Sequence, residues 1–215
     1  AEAPLAVPSE VPQPPRAAQT GRADLHTHST FSDGSLQPAE LVDLAQRTEL
    51  VAVALTDHDS VAGLPEAIQS AANVPLELVP GVEFTTYWTP RPGERPLEIH
   101  LLGLWCDPAN EWLTQQLEEL KDARKRRIYQ IAEKLQEQGI GIDPVQLIVE
   151  AKDTVGRAHV ATALIAQGHC HSIDEAFERW LGFGRPAWVP KKTLAPAAVI
   201  RLIHIAGGVA VFAHP

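Results

Sequence analysis

Histidine and carboxylate residues recur in this chain at the ends of short apolar runs, which is where metal chemistry would be built. His26-x-His28 closes a run starting at Ala23, and Asp33-Gly34 follows it. Alternate residues of a strand point the same way, so the two imidazoles can grip one ion while the loop carries the Asp33 carboxylate to a neighbouring ion. Thr56-Asp57-His58-Asp59 follows the run Leu50–Leu55, and Glu83 follows the run ending at Val82. His100 lies within Leu97–Leu104, and His214 closes Val209–Ala213. Strand ends of a β/α barrel converge on one face, so these residues are expected to share one site. The donors are nitrogen and oxygen with no thiolate, which favours Mn, Fe or Zn in a reactive site over a structural zinc. They exceed the needs of one ion, so two or three divalent ions are implied, Mn foremost. Paired ions about 3.5–4 Å apart activate a bridging water and neutralise developing negative charge, which suits phosphoester displacement.

The elements that must position these residues read as α/β. Uniformly apolar Leu50–Leu55 is the pattern of a parallel strand covered on both faces, and Val209–Ala213 repeats it. Leu76–Val82, Leu97–Leu104 and Ala23–His26 are further strands. Gln37–Glu49 sets Leu41, Leu44 and Ala45 on one helical face, with Pro38 suited to a first turn. Asn110–Gln138 breaks the alternation with about eight turns of helix former, capped by Asn110 and stopped at Gly139. Asp143-Pro144 starts another helix, and helical patterns follow at Arg157–Gln167 and Ser172–Leu181. The predicted layout is a Pro-rich disordered tail over 1–21, core over 22–105, a helical insertion over 106–190, and core again over 191–215.

A formal net charge of -9 disfavours nucleic-acid binding through the overall field, so an anionic substrate must be met by metal ions or local Arg and Lys. Cys106 and Cys170 are too few for a disulfide framework, and reduced thiols are expected. No apolar run reaches the roughly 18 residues of a membrane span, and no secretory pattern opens the chain, so a cytoplasmic protein without membrane or stable protein partners is expected. The absence of Met, even at position 1, points to a processed chain or a fragment.

The segments HTHSTFSDG, LTDHD, GVE, EIHLLG, GRAHVA and AGGVAVFAHP resemble, in order, the motifs of PHP (polymerase and histidinol phosphatase) phosphoesterases. The nearest branch contains nucleoside 3',5'-bisphosphate phosphatases and a 5'-to-3' exoribonuclease, and the likeness covers about 22–215. It implies a distorted seven-stranded β/α barrel. By the same resemblance His26 and His28 are the first pair of ligands, Asp33 and His58 serve a second ion, and Glu83 bridges. His100 and His159 look like ligands of a third ion, and His214 matches the family's His-Pro histidine. Arg157 and Lys191 look like phosphate holders. Asp33, His58, Glu83 and His214 then carry the catalysis, with a small nucleotide or an RNA 5' end as substrate and a metal-activated water as nucleophile. Members continue past His-Pro to a late Asp-x-His, which the stop at Pro215 omits, so a C-terminally truncated barrel is expected.

The competing readings are a catalytically impaired PHP-like binding or structural module and an amidohydrolase, although TDHD and GVE suit the latter less well. Asp57 and Asp59 are expected to orient neighbours. Lys121, Arg124, Lys125, Arg126 and Arg127 read as a solvated helix face. Trp180, Phe183 and Trp188 read as insertion core, and His169, His171 and His204 as surface residues.

Overall fold

The computed structural model describes residues 21–91, 94 and 96–214. The expected tail, apart from Gly21, and Pro215 lie outside the described residues. The chain runs β1 (Arg22–Thr27), α1 (Pro38–Arg47), β2 (Leu50–Leu55), α2 (Leu64–Ala71), β3 (Glu77–Trp88) and β4 (Leu97–Leu104). It continues through α3 (Glu111–Glu137), α4 (Pro144–Glu150), α5 (Arg157–Ala166) and α6 (Ile173–Ala176), which passes into a π-helical turn at Phe177–Leu181. Helix α7 (Pro196–Ile205) and β5 (Val209–Phe212) complete it.

The strands form one curled sheet in the order β1-β2-β3-β4-β5, a half-barrel in mixed α/β surroundings. Strands β1, β2 and β3 pair in parallel, as the apolar runs suggest. The expectation of an all-parallel sheet fails beyond β3, because β3–β4 and β4–β5 are antiparallel. For β3–β4 the reason is connection length, since parallel neighbours need a crossover of about a dozen residues or more, usually helical, and β5 is antiparallel to β4 because β4 is the reversed strand. Only residues 89–96 join β3 to β4, so the chain must double back. Strand β3 also outruns its expected end at Val82, since the Phe, Thr, Tyr and Trp residues that follow favour extended backbone. Glu83 therefore sits in mid-strand.

Helix α1 begins and ends close to its expected limits. Helix α2 was not anticipated, although Pro65 and the buried Leu64, Ala67 and Ala71 mark it. Helix α3 follows its expected bounds, and Asn110 Oδ1 accepts the Leu113 N–H at 3.1 Å as N-cap. Its apolar stripe serves two cores. Leu113, Leu117 and Leu120 pack with Phe84 and Leu101 of the sheet and Ile203 of α7, whereas Ile128, Ile131 and Leu135 pack with Leu147, Leu164 and Leu181 of the later helices. The one helix thus fixes the helical segment against the sheet. Trp180 packs against that second core, but Phe183 does not belong to it: it is 58% exposed and meets Trp188 edge to face.

Ile203 is fully buried under β4, and the backbones of Gly103 and Gly208 both lean on it. Ile203→Ala should lower unfolding stability by about 2–5 kcal/mol through lost burial and the cavity left behind. The urea midpoint at unchanged slope reads this directly.

Candidate metal centre and its cationic recess

Glu83 is the focus of the site, with its side chain 1% exposed. His26, His28, His58, His100 and His214 each place a ring nitrogen 2.7–3.4 Å from one of its oxygens. Strand geometry explains the convergence. His58 leaves the end of β2 and forms a parallel bridge with Glu83. His100 lies opposite Thr85, diagonal to Glu83 on the same face. The Ala213 N–H donates to His100 O at 3.0 Å, which brings His214 alongside. Asp33 approaches from the β1–α1 loop, 3.6 Å from both His28 and His58.

Two sets of three ligand-type atoms lie within 4.8 Å of one another: His26, Glu83 and His214, and His28, His58 and Glu83. His26 and His28 fall in different groups, although their Nε2 atoms lie 3.1 Å apart and both reach Glu83 Oε2. Glu83 belongs to both groups. His159 stands apart from them, and its Nδ1 accepts the Gly156 N–H at 3.2 Å.

The donor set suits a divalent cation. His26 Nε2 and His28 Nε2 face each other at 3.1 Å while both lie 3.0 Å from Glu83 Oε2, so nitrogen donors crowd a single point. His58 Nδ1 is buried without a hydrogen-bond partner. Burial alone would raise the Glu83 pKa, but the imidazoles, His100 first, hold it well below the carboxylate range. Burial tends to lower His100, yet Glu83 and Glu98 carry it up to about 9. Burial takes His58 down to about 4, leaving it neutral and able to ligate.

Next to the cluster lies a recess of about 150 Å³ lined by Asp33, His58, His100, Arg124, Arg127, Arg157, His159, Phe177 and Lys191, among others. Arg157 stands over the Phe177 ring with its guanidinium carbon 5.0 Å from the centroid. The expected solvated face of α3 is corrected here. Arg124 Nη2 lies 2.7 Å from Asp59, Lys121 Nζ lies 2.9 Å from Asp153, and Arg127 donates twice to Val189 O at 2.7 and 2.9 Å. The signal was available in the spacing. Leu117, Leu120, Arg124, Arg127 and Ile131 follow the three- and four-residue steps of one buried stripe. Glu98 was also passed over: strand alternation puts it on the face of His100, 3.2 Å from Nε2, with Tyr87 Oη donating to it at 2.8 Å.

This site defines a class: a curled α/β sheet gathering His and carboxylate groups at its strand ends beside a phosphate-sized cationic recess. The PHP domain family matches residues 24–183. The chain is 38% identical to a 5'-3' exoribonuclease of Haemophilus influenzae, covering 91% of this chain and 69% of the relative. It is 33% identical to a 3',5'-nucleoside bisphosphate phosphatase of Chromobacterium violaceum, covering 89% of this chain and 66% of the relative. A crystal structure described as a metal-dependent phosphoesterase from Bifidobacterium adolescentis superposes with TM-score 0.81 at 30% identity, covering 91% of this chain and 68% of that one. The chain belongs to the PHP domain family, and it spans about two thirds of the length of these relatives.

Asp57 and Asp59 flank His58 and tie it in two directions. Asp57 accepts from Ser29 N–H, Ser29 Oγ and Ser32 Oγ at 2.6–2.7 Å, holding the loop that carries Asp33. Gly34 in that loop lies so close to the His28 backbone that a Cβ would sit 2.3 Å from its carbonyl oxygen. Asp59, fully buried, takes Arg124 and Lys191 on one oxygen at 2.7 and 2.9 Å. Burial would raise its pKa, but Lys191 and then Arg124 hold it at about 2. Lys191 does not rise in return: burial and Arg124 outweigh Asp59 and take it down to about 8.

Asp59→Ala should therefore cost about 3–5 kcal/mol at pH 7, because Arg124 stays buried without its anion and Lys191, already lowered with Asp59 present, must give up its proton to remain buried. That loss should shrink toward pH 9, where the lowered Lys191 sheds its proton. In the unmodified chain the Asp59 contribution is complete above its ordinary value of 3.8 and is lost as pH falls through about 2. Chemical unfolding of both proteins across pH checks all three statements.

Proposed function

We propose that this chain is the metal-binding part of a phosphoesterase that hydrolyses a phosphate monoester of a small nucleotide, a nucleoside 3',5'-bisphosphate, or of an RNA 5' end. The observation that carries the reading is Glu83: a carboxylate buried among His26, His28, His58, His100 and His214, with a cationic recess opening beside it. In this reading those residues and Asp33 hold two or three divalent ions, Mn foremost. Bound there, the ions supply Lewis acidity that activates water and offsets charge developing on the phosphoryl oxygens.

The chain's own groups do the rest. Glu83 belongs to both donor groups and fixes their spacing. Arg157 and Lys191 face the recess and hold phosphate, with Arg124 as a third cation. His159 is better placed to donate than to ligate. Its Nδ1 accepts from Gly156, and burial lowers its pKa, so the neutral ring carries its proton on Nε2 at the wall of the recess. It can steady a phosphate oxygen or the leaving group.

The same reading takes β1–β5 as one arc of a seven-stranded β/α barrel, residues 106–190 as an insertion and 191–215 as returning core. It places the protein in the cytoplasm without a stable protein partner. Cys106 and Cys170 are buried and unpaired, which suits a reducing compartment. Among the described residues no helix is long and apolar enough to cross a membrane.

With Mn²⁺, the chain should release phosphate from adenosine 3',5'-bisphosphate, and a chelator should abolish the activity. Glu83→Gln should lower bound metal and cut turnover by about 10² or more, because both donor groups lose the shared anionic carboxylate, which a neutral amide with a single oxygen does not replace. Phosphate release that survives chelation, or metal content and turnover both unchanged in Glu83→Gln, would sink the reading.

A further inference from the structure

The π-helical turn at Phe177–Leu181 lies outside the sheet that carries the centre, yet it reaches the recess through Phe177. Such turns are rare and concentrate at functional sites. Its closing bond runs from the Gly182 N–H to Phe177 O, five residues back, at 2.8 Å. Only glycine closes it without adjustment, because a Cβ on Gly182 would lie 2.6 Å from that same carbonyl oxygen. One residue of the sequence therefore permits the turn.

Both ends of the turn hold Arg157, the first residue of α5. The Phe177 ring lies against its guanidinium, with 5.0 Å between centroid and central carbon. Arg157 Nη1 donates at 3.3 Å to Leu181 O, one of the carbonyls that a helix end leaves without an intrahelical partner. These holders are neutral. Elsewhere in the recess Arg124 and Lys191 share the Asp59 carboxylate, whereas among the described residues no carboxylate lies within ion-pair distance of Arg157. A ring face and a carbonyl fix the plane of the guanidinium without cancelling its charge, and they leave its other N–H groups to meet an anion. Lysine has no plane to stack, so the arrangement suits arginine.

Resting on the phosphate-holding role that the phosphoesterase reading gives Arg157, we infer that the π-helical turn positions this cation for an incoming phosphate, with Phe177 and Gly182 as the positioning residues. The ring sets the plane of the guanidinium, and the Leu181 carbonyl sets its rotation within that plane. Relaxed to α-helical pairing, the Gly182 N–H would turn to Glu178 O, and ring and carbonyl would no longer bracket Arg157. Affinity for phosphate then depends on a backbone irregularity outside the sheet.

The test is a double-mutant cycle on binding of inorganic phosphate to the chain in Mn²⁺, read by calorimetry. Phe177→Leu keeps an apolar side chain but removes the ring face, and it should weaken phosphate about five-fold or more. Phe177→Tyr keeps the face and should stay within about two-fold of the parent. Gly182→Ala displaces the Phe177 carbonyl and should weaken phosphate as Phe177→Leu does, and it carries the same cycle if Phe177→Leu fails to fold. In an Arg157→Ala background each loss should shrink below about two-fold, since residues that act through Arg157 then have nothing to position. A chain that binds no phosphate, unchanged affinity in both single variants, or an equal loss with and without Arg157 overturns the inference. If the cycle holds but adenosine 3',5'-bisphosphate is not hydrolysed, the phosphoesterase reading fails while the positioning role stands.

Discussion

One buried carboxylate sets the terms for the rest of this structure. An unpaired ionised side chain in the interior is strongly unfavourable, and Glu83 is tolerated only because imidazoles surround it. That requirement reaches back into the sheet. Parallel β2 must end level with the middle of β3 so that His58 arrives beside Glu83. Antiparallel β4 must be in the register that places His100 diagonal to it. Strand β5 must then pair so that the chain turns His214, at φ 31°, toward the same oxygens. A slip of one residue in any pairing would send its histidine to the opposite face.

His58 connects this centre to the helices. Asp57 before it takes the Ser29 and Ser32 donors of the β1–α1 loop, and Asp59 after it, in left-handed backbone at φ 50°, takes cations from α3 and from the segment before α7. A three-residue stretch therefore holds ligand geometry, loop position and recess charge together. A left-handed conformation outside glycine persists only where surroundings enforce it, and two ion pairs to Asp59 supply that enforcement. The placement of the helical segment is thus coupled to the centre by electrostatics as well as by the apolar stripe of α3.

Much of this was legible in the chain. The apolar runs LVAVAL and VAVFA mark strands whatever the fold, and ligand-type residues at their ends marked the centre. Asn110 and Asp143 signal helix starts through side-chain oxygens that accept orphan N–H groups, a purely local effect. What stayed hidden was relational. Strand direction past β3 depends on the short link to β4 rather than on composition. The roles of Arg124 and Arg127 depend on which face of α3 turns inward, and a basic run hides two stripe positions among its solvated neighbours. Glu98 was one strand alternation away from His100, yet only its hydrogen bonds to His100 and Tyr87 show it as part of the centre.

The two halves of the site are unbalanced in opposite senses, and that imbalance is the strongest argument for what they take together. In the cluster, nitrogen donors press against each other and against a single carboxylate, so positive charge is in demand at their focus. In the recess the cations outnumber their partners. Burial and then Arg157 take Arg127 down to about 10, and Lys191 is lowered despite its ion pair. Negative charge is in demand there. A protein of net charge -9 gains little long-range attraction for an anion, so binding must come from this short-range demand. A phosphate that bridges cluster-bound cations and recess-borne Arg and Lys relieves both imbalances at once, whereas a neutral ligand would relieve neither.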